Sequence, residues 1–312
     1  MKPISDEYFN RIVELSKTNI SKRYAASILH NEGFSNSVEA ARSVIRSHTL
    51  ANGSASRFNK DRIINWSSEL PQPDKSEFAI KTIDCEKGIG CLFDIHLPFH
   101  DLNTINAFIE RGNEYDVIIL QEVFDFYGLS KFDKTRIIRP AQEQETFFQF
   151  MDYFRNKLPD HRIIFQHGNH DERYKLYLYR HAQAIADMQG LSFGEIMAFD
   201  DFGIELLPEK NLLKYRKLHI GHGHELGIRG AAISPARTFY LKTGGNYIGG
   251  HVHKIDEYIE RNINDEIKGA WSVGCACDLH PLFMPVNKWN NGYAIIKPYK
   301  EELFHVDNVK LF

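Results

Sequence analysis

Five short apolar runs in this chain each end on residues able to hold a cation, and that coincidence constrains the fold more than any bulk property. Gly88 to Phe93 leads into Asp94-Ile95-His96, and Val117 to Leu120 into Gln121-Glu122-Val123-Phe124-Asp125. Ile163 to Phe165 precedes Gly168-Asn169-His170-Asp171, Leu218 to Ile220 precedes Gly221-His222-Gly223-His224, and Tyr247-Ile248 precedes Gly250-His251-Val252-His253. Short apolar runs bounded by glycine read as buried strands, and the amphipathic stretch Asn103 to Arg111 between two of them reads as a helix. Such alternation predicts an α/β fold with the polar segments at the carboxyl ends of strands, where sites in α/β sheets gather. Trp271 to Val273 and Tyr293 to Ile296 suggest further strands separated by turns, so the sheets should be mixed.

Asp94 and His96, two apart in an extended segment, point the same way and can reach one cation with an oxygen and a nitrogen. Asn169 would add a neutral carbonyl, which limits the negative charge of a site that also contains carboxylates. Paired histidines flanked by glycine suit first-row divalent cations. Any one of these segments is also compatible with a structural role; their succession in one chain is what points to a metal site.

The first 55 residues read as a separate helical module. Ser5 can cap a helix with Tyr8, Phe9, Ile12, Val13 and Leu15 inward; a second helix runs from near Ser21 to Gly33; a third opens with Asn36 and Glu39 in a capping-box pattern. Arg42 and Arg46 share the outer face of the third. This arrangement is compatible with a helix-turn-helix-like unit that meets DNA, and equally with a packing or dimerisation element. Residues 1 to 70 carry ten Lys/Arg against seven Asp/Glu, while the whole chain has net charge −3. Residues 56 to 77, with Pro71-Gln72-Pro73, read as a linker, leaving 78 to 312 as the main domain.

Hydrophobic residues make up 43% and charged residues 25%, which excludes a disordered or fibrous chain. No apolar run approaches the roughly 20 residues of a membrane-spanning helix, and the first 30 residues lack a signal-peptide core, so a cytoplasmic protein without membrane contact is expected. Four cysteines, Cys85, Cys91, Cys275 and Cys277, are too few and too scattered for a disulfide framework. Cys275-x-Cys277 lacks a second pair that would complete a zinc tetrahedron and reads as two small buried residues.

Taken in order, the five segments resemble the signature of the calcineurin-like metallophosphoesterases: Asp-x-His, Gly-Asp-x-x-Asp, Gly-Asn-His-Asp/Glu, a Gly-His segment and Gly-His-x-His. The resemblance spans residues 88 to 300. Trp271-Ser272-Val273-Gly274-Cys275, Asp278-Leu279-His280-Pro281 and Asn287-Lys288-Trp289-Asn290 are similar to the C-terminal pattern of phage-type members, many of which carry a small N-terminal helical module. It implies a four-layer α/β/β/α sandwich of two mixed sheets. It also implies two divalent metal ions, manganese foremost with iron, zinc or nickel compatible, one held by Asp94, His96 and His253 and the other by Asn169, His222 and His251. Glu122 would bridge them. Gln121-Glu122 replaces the family's Gly-Asp, so the glycine and the shorter acid are both missing; the extra methylene could displace a cation, and Gln121 could crowd the turn. Asp125 would orient an imidazole ligand. His170 resembles the histidine that assists the leaving oxygen, with Asp171 on its other ring nitrogen, and Arg173 would contact a phosphate or lie solvated.

Two cations about 3.5 to 4 Å apart would acidify a water and clamp phosphoryl oxygens for in-line attack. The expected substrate is a phosphate ester, foremost a phosphodiester of nucleic acid, with DNA brought by the N-terminal module. A phosphomonoesterase and a nucleic-acid-binding relative with decayed chemistry remain the alternatives.

Overall fold

The computed structural model describes residues 4–18, 20–51, 73, 78–132, 134, 136–228 and 232–312, with the side chains of 48–51 left aside. Contacts divide the chain into two units, Met1–Ser76 and Glu77–Phe312. The linker expected at 56–77 lies outside the described residues except for Pro73.

In the first unit, α1 (Asp6–Ser16) and α2 (Lys22–Asn31) each begin where a serine in extended conformation turns its hydroxyl back on the helix: Ser5 accepts from the Tyr8 N–H and Ser21 from the Tyr24 N–H. For α3 (Val38–Ala51) the cap is Ser37, which accepts from the Ala40 N–H at 3.1 Å, and not Asn36 as the spacing to Glu39 suggested. A hydroxyl one residue nearer the helix takes the orphan amide. Tyr8, Ile12, Leu15, Ala25, Ala26, Leu29, Ala41 and Ile45 form this unit's core. Arg42 pairs with Glu39 on the surface.

The second unit is an α/β/β/α sandwich of two six-stranded mixed sheets. One sheet has β2 (Ile89–Phe93), β3 (Val117–Gln121), β4 (Arg162–Gln166) and β5 (Ile204–Leu206) in parallel, continued antiparallel by β11 (Gly292–Tyr299) and β12 (Leu303–Lys310). The other runs in the order β1 (Ile80–Thr82), β6 (Leu212–Tyr215), β7 (Leu218–Ile220), β8 (Asn246–Gly249), β10 (Ile267–Ser272), β9 (Asp256–Arg261).

Period-two alternation sorts the side chains between layers. Ile89, Cys91, Phe93, Val117, Ile119 and Ile164 face inward, meeting Leu213, Leu218, Ile220, Ile248 and Trp271 of the second sheet. Leu92, Ile118, Leu120, Ile163 and Phe165 face outward, under α4 (Leu102–Glu110) and α5 (Pro140–Lys157), whose Phe108, Phe147, Met151 and Phe154 complete an aromatic core. On the far side, Phe239 of the helix Pro235–Thr243 covers Tyr247 and Ala270. Among the described residues no helix is long and apolar enough to cross a membrane.

Candidate metal centre

All seven predicted ligands leave strands at the same end of the sandwich. Parallel β2, β3 and β4 deliver Asp94, His96, Glu122 and Asn169; parallel β7 and β8 deliver His222, His251 and His253. Register brings the exits level, since Phe93 pairs with Gln121 and Gln121 with Gln166, and the Asp94 N–H donates to the Gln121 carbonyl at 3.0 Å.

Five of the seven occupy left-handed backbone: Asp94 (φ 52°), His96 (51°), Glu122 (47°), His251 (71°) and His253 (57°). Non-glycine residues there carry a cost of order 1–3 kcal/mol, and such strain clusters at functional sites. The strand ends are bent to turn these side chains into one space. Two glycines give the carboxylates room. A Cβ on Gly250 would stand 2.4 Å from Asp94 Oδ2, and one on Gly168 would stand 2.5 to 2.8 Å from three carbons of Glu122.

The donor atoms fall into two overlapping groups. Asp94, His96, Glu122 and His253 place one ligand atom each within 4.8 Å of one another, and so do Glu122, His222 and His251. His96 Nε2 and His253 Nε2 are 3.2 Å apart; His222 Nε2 lies 2.5 Å from Glu122 Oε2 and 3.1 Å from Asp94 Oδ1. The other oxygen of Glu122 accepts the His170 N–H at 2.9 Å, which orients the carboxylate. The longer acid therefore reaches both groups, with Gly168 leaving space for its extra methylene. Gln121 does not crowd the turn: its amide is buried and donates to Gln166 Oε1 at 2.6 Å, and Gln166 in turn donates across the sheets to the carbonyl of Asn211 at 3.0 Å.

Electrostatics agree with a cation site. Burial raises the pKa of Asp94 and Glu122, yet the imidazoles of His253, His222 and His170 outweigh it, so both acids are held below the ordinary carboxylate range. Burial, helped by neighbouring His222, pushes His251 down to about 4. Its Nε2 lies 2.9 Å from the Ile228 carbonyl, which can only accept; the proton is therefore on Nε2 and Nδ1 keeps its lone pair. Asn169 Oδ1 is buried without a hydrogen-bond partner. An amide oxygen so placed is costly to bury unless something positive meets it. Carboxylate, carbonyl and imidazole donors of this kind suit divalent metal.

Around the ligands, Asp125 Oδ2 lies 3.3 Å from His96 Nδ1 and 3.3 Å from His170 Nδ1. Asp171 takes a different place from the one expected: its oxygens accept the backbone N–H groups of Phe124 (3.0 Å) and Gly168 (2.8 Å), bracing two ligand loops, and the carboxylate beside the His170 ring is Asp125. Arg173 likewise turns inward, donating to His170 Nε2 at 2.9 Å and to the Asp125 carbonyl at 2.6 Å. A guanidinium only donates, so His170 carries its proton on Nδ1, toward Asp125. Asp125→Asn is expected to weaken metal affinity by about 10- to 100-fold, the usual effect of removing an imidazole's orienting carboxylate. Chelator competition measures it, and an unchanged affinity would refute the role.

Two groups to which the sequence assigned no part in the centre lie beside it. His224 bridges His222 Nδ1 (2.9 Å) and Glu172 Oε1 (3.1 Å), and Cys277 Sγ lies 4.0 Å from His253 Nδ1. Both depend on contacts between residues at least 24 positions apart or on a two-residue turn that spacing alone leaves open. The tyrosines of α6 (Glu172–His181) do not line one face: Tyr174 packs on Phe126 and Phe193, and Tyr177 on His181.

No family model matches the chain, and none of the curated proteins matches it. Among solved structures it is similar to a single mutant of Vps29 from Entamoeba histolytica, with a TM-score of 0.34 and 12% identity, over 72% of this chain and 99% of that one. It is similar also to nuclease MPE of Pseudomonas putida, with a TM-score of 0.30 and 9% identity, over 70% of this chain and 90% of that one. Likenesses this slight carry no argument about chemistry. What the site itself defines is a buried centre of His, Asp and Glu suited to divalent metal.

Proposed function

We propose that the chain is a dinuclear metal-dependent phosphoesterase of the calcineurin-like kind, acting foremost on phosphodiesters of nucleic acid. The observation that carries this reading is Glu122, whose carboxylate belongs to both ligand groups. Asp94, His96, Glu122 and His253 would hold one cation; Glu122, Asn169, His222 and His251 the other. Two such cations, manganese among the candidates, supply neutralisation of phosphoryl oxygens and a water acidic enough to be a nucleophile near neutral pH.

The chain's own residues prepare the centre. The His170 amide and Gly168 set the Glu122 carboxylate, and Ile228 fixes the His251 tautomer. Asp125 and Arg173 engage both ring nitrogens of His170 at the rim, where its side chain is 19% exposed. The positive balance of the N-terminal 70 residues supports a nucleic-acid substrate, with the helical unit as the element that would bring it.

Manganese-loaded full-length protein is expected to hydrolyse bis-p-nitrophenyl phosphate and single- or double-stranded DNA, to lose activity in excess chelator and to regain it on adding metal. Cleavage of p-nitrophenyl phosphate with every diester untouched would replace the diesterase by a monoesterase. Inertness toward all four substrates would overturn the phosphoesterase.

A further inference from the structure

A loop beside the centre exposes apolar side chains that its own hydrogen bonds hold in place. Leu282, Phe283, Met284 and Val286 are all exposed, Phe283 by 72%. His280 Nδ1 donates to the Pro285 carbonyl at 2.9 Å, and Asn287 Nδ2 donates to the carbonyls of Leu279 at 2.7 Å and Met284 at 2.9 Å, so the turn is cross-braced. Both ends are tied to loops that carry predicted ligands. The Asp278 N–H donates to the carbonyl of Phe99, just after His96, at 2.8 Å, and the Asn290 N–H donates to the carbonyl of His253 at 2.8 Å. Rings lead from the exposed tip to the centre: Phe283 lies 6.2 Å from Trp289, and Trp289 lies 4.2 Å from His253, centroid to centroid. Phe99 also meets a basic segment, for the Arg136 guanidinium lies over its ring, 4.5 Å from the centroid. Lys131, Lys134, Arg136 and Arg139 are exposed, and residues 130–140 hold one acid, Asp133, against these four cations. Lys134, Arg136 and Arg139 line a cleft of about 400 Å³ together with Gly128.

We infer that these two surfaces, which meet at Phe99, form a track for single-stranded nucleic acid that leads into the metal centre. Lys131, Lys134, Arg136 and Arg139 would meet backbone phosphates, and Phe283 with Trp289 would stack unpaired bases. The inference rests on the proposed phosphodiesterase and names its substrate class. Single-strand binders pair a cationic path with aromatic platforms, because every base offers a face to stack on and a duplex hides it. Exposed apolar surface held on a braced loop is itself the mark of an interaction site. An aliphatic tip alone would suit a bilayer equally; rings nearest the centre, and cations grouped on a second segment, favour the nucleic acid.

Fluorescence anisotropy of a labelled oligothymidylate of about 12 nucleotides, added to the full-length protein in excess chelator so that nothing is cleaved, reads the track without turnover. The single strand should bind more tightly than a duplex of the same length. Phe283→Ser removes an exposed ring and leaves the core intact; it should weaken single-strand binding by about tenfold. Lys134→Gln with Arg136→Gln should flatten the dependence of log affinity on log salt by about 0.7 per cation removed. Natural affinity and salt dependence in both variants overturns the track. So does an oligonucleotide that is ignored while Phe283→Ser abolishes binding to phosphatidylglycerol vesicles, which would make the loop a lipid anchor. Hydrolysis of bis-p-nitrophenyl phosphate by the manganese-loaded chain tells the failures apart. A chain that turns it over yet binds oligonucleotide independently of Phe283, Lys134 and Arg136 loses the track alone, and one inert toward it loses the phosphodiesterase and the substrate assignment together.

Discussion

On the proposed dinuclear reading, Glu122→Gln is expected to lower turnover of a phosphate diester by about 10³-fold and to reduce the number of cations bound per chain by at least one. The carboxylate is 1% exposed, shared by both ligand groups, and pressed between His222 Nε2 at 2.5 Å and the His170 amide at 2.9 Å. Glutamine keeps the length and one acceptor oxygen but puts an NH₂ where the second oxygen stood. A donor there cannot bind a cation, and one negative charge is lost from between two positive ones. Metal assistance is worth several kcal/mol, and each 1.36 kcal/mol is a factor of ten. Turnover and metal content per chain, measured on one preparation, check both halves of the expectation. A variant that keeps two cations and within tenfold of natural turnover would remove Glu122 from the bridge. Glu122→Asp is the companion: Gly168 is fitted to the longer side chain, so the shorter acid should leave a gap and recover only part of the activity.

Phe147→Ala should have the largest effect on stability, a loss of about 3–5 kcal/mol. Phe147 on α5 is fully buried, with ring centroids 4.8 Å from Phe124, 5.8 Å from Phe199, 6.0 Å from Phe202 and 6.1 Å from Phe148. So many stiff neighbours cannot collapse into the space of a missing ring. Phe124 and Phe126 stack at 5.0 Å within the loop that carries Asp125. Urea unfolding of the metal-loaded chain should show a lower midpoint at unchanged slope; a midpoint within error of the natural one would mean that the layer repacks.

The strands that present ligands were legible because each is a short apolar run cut off by a polar residue: β2 (Ile89–Phe93), β3 (Val117–Gln121) and β7 (Leu218–Ile220) match their runs to within a residue or so. β12 (Leu303–Lys310) was not, since it lies at a sheet edge with little fully buried surface and alternates weakly. α5 hides for the opposite reason, its phenylalanines being too dense to mark one face. In the centre, motif order brought out the side chains that converge. Their partners stayed hidden. Gln166 meets Gln121 across adjacent strands, Asp171 turns to backbone amides, and Cys277 reaches His253 from a different sheet connection. Such pairings follow from three-dimensional register, which no local pattern encodes.

The left-handed turns at Asp94, His96, Glu122, His251 and His253 mean that the centre is written in the main chain as much as in its side chains. Transplanting the seven residues onto another sandwich whose strands run straight through those positions would aim them into different volumes. Scanning with alanine has the converse fault, since it deletes a donor and leaves a residue poorly suited to that conformation. Asparagine, which tolerates it, is the exchange that separates loss of chemistry from loss of shape.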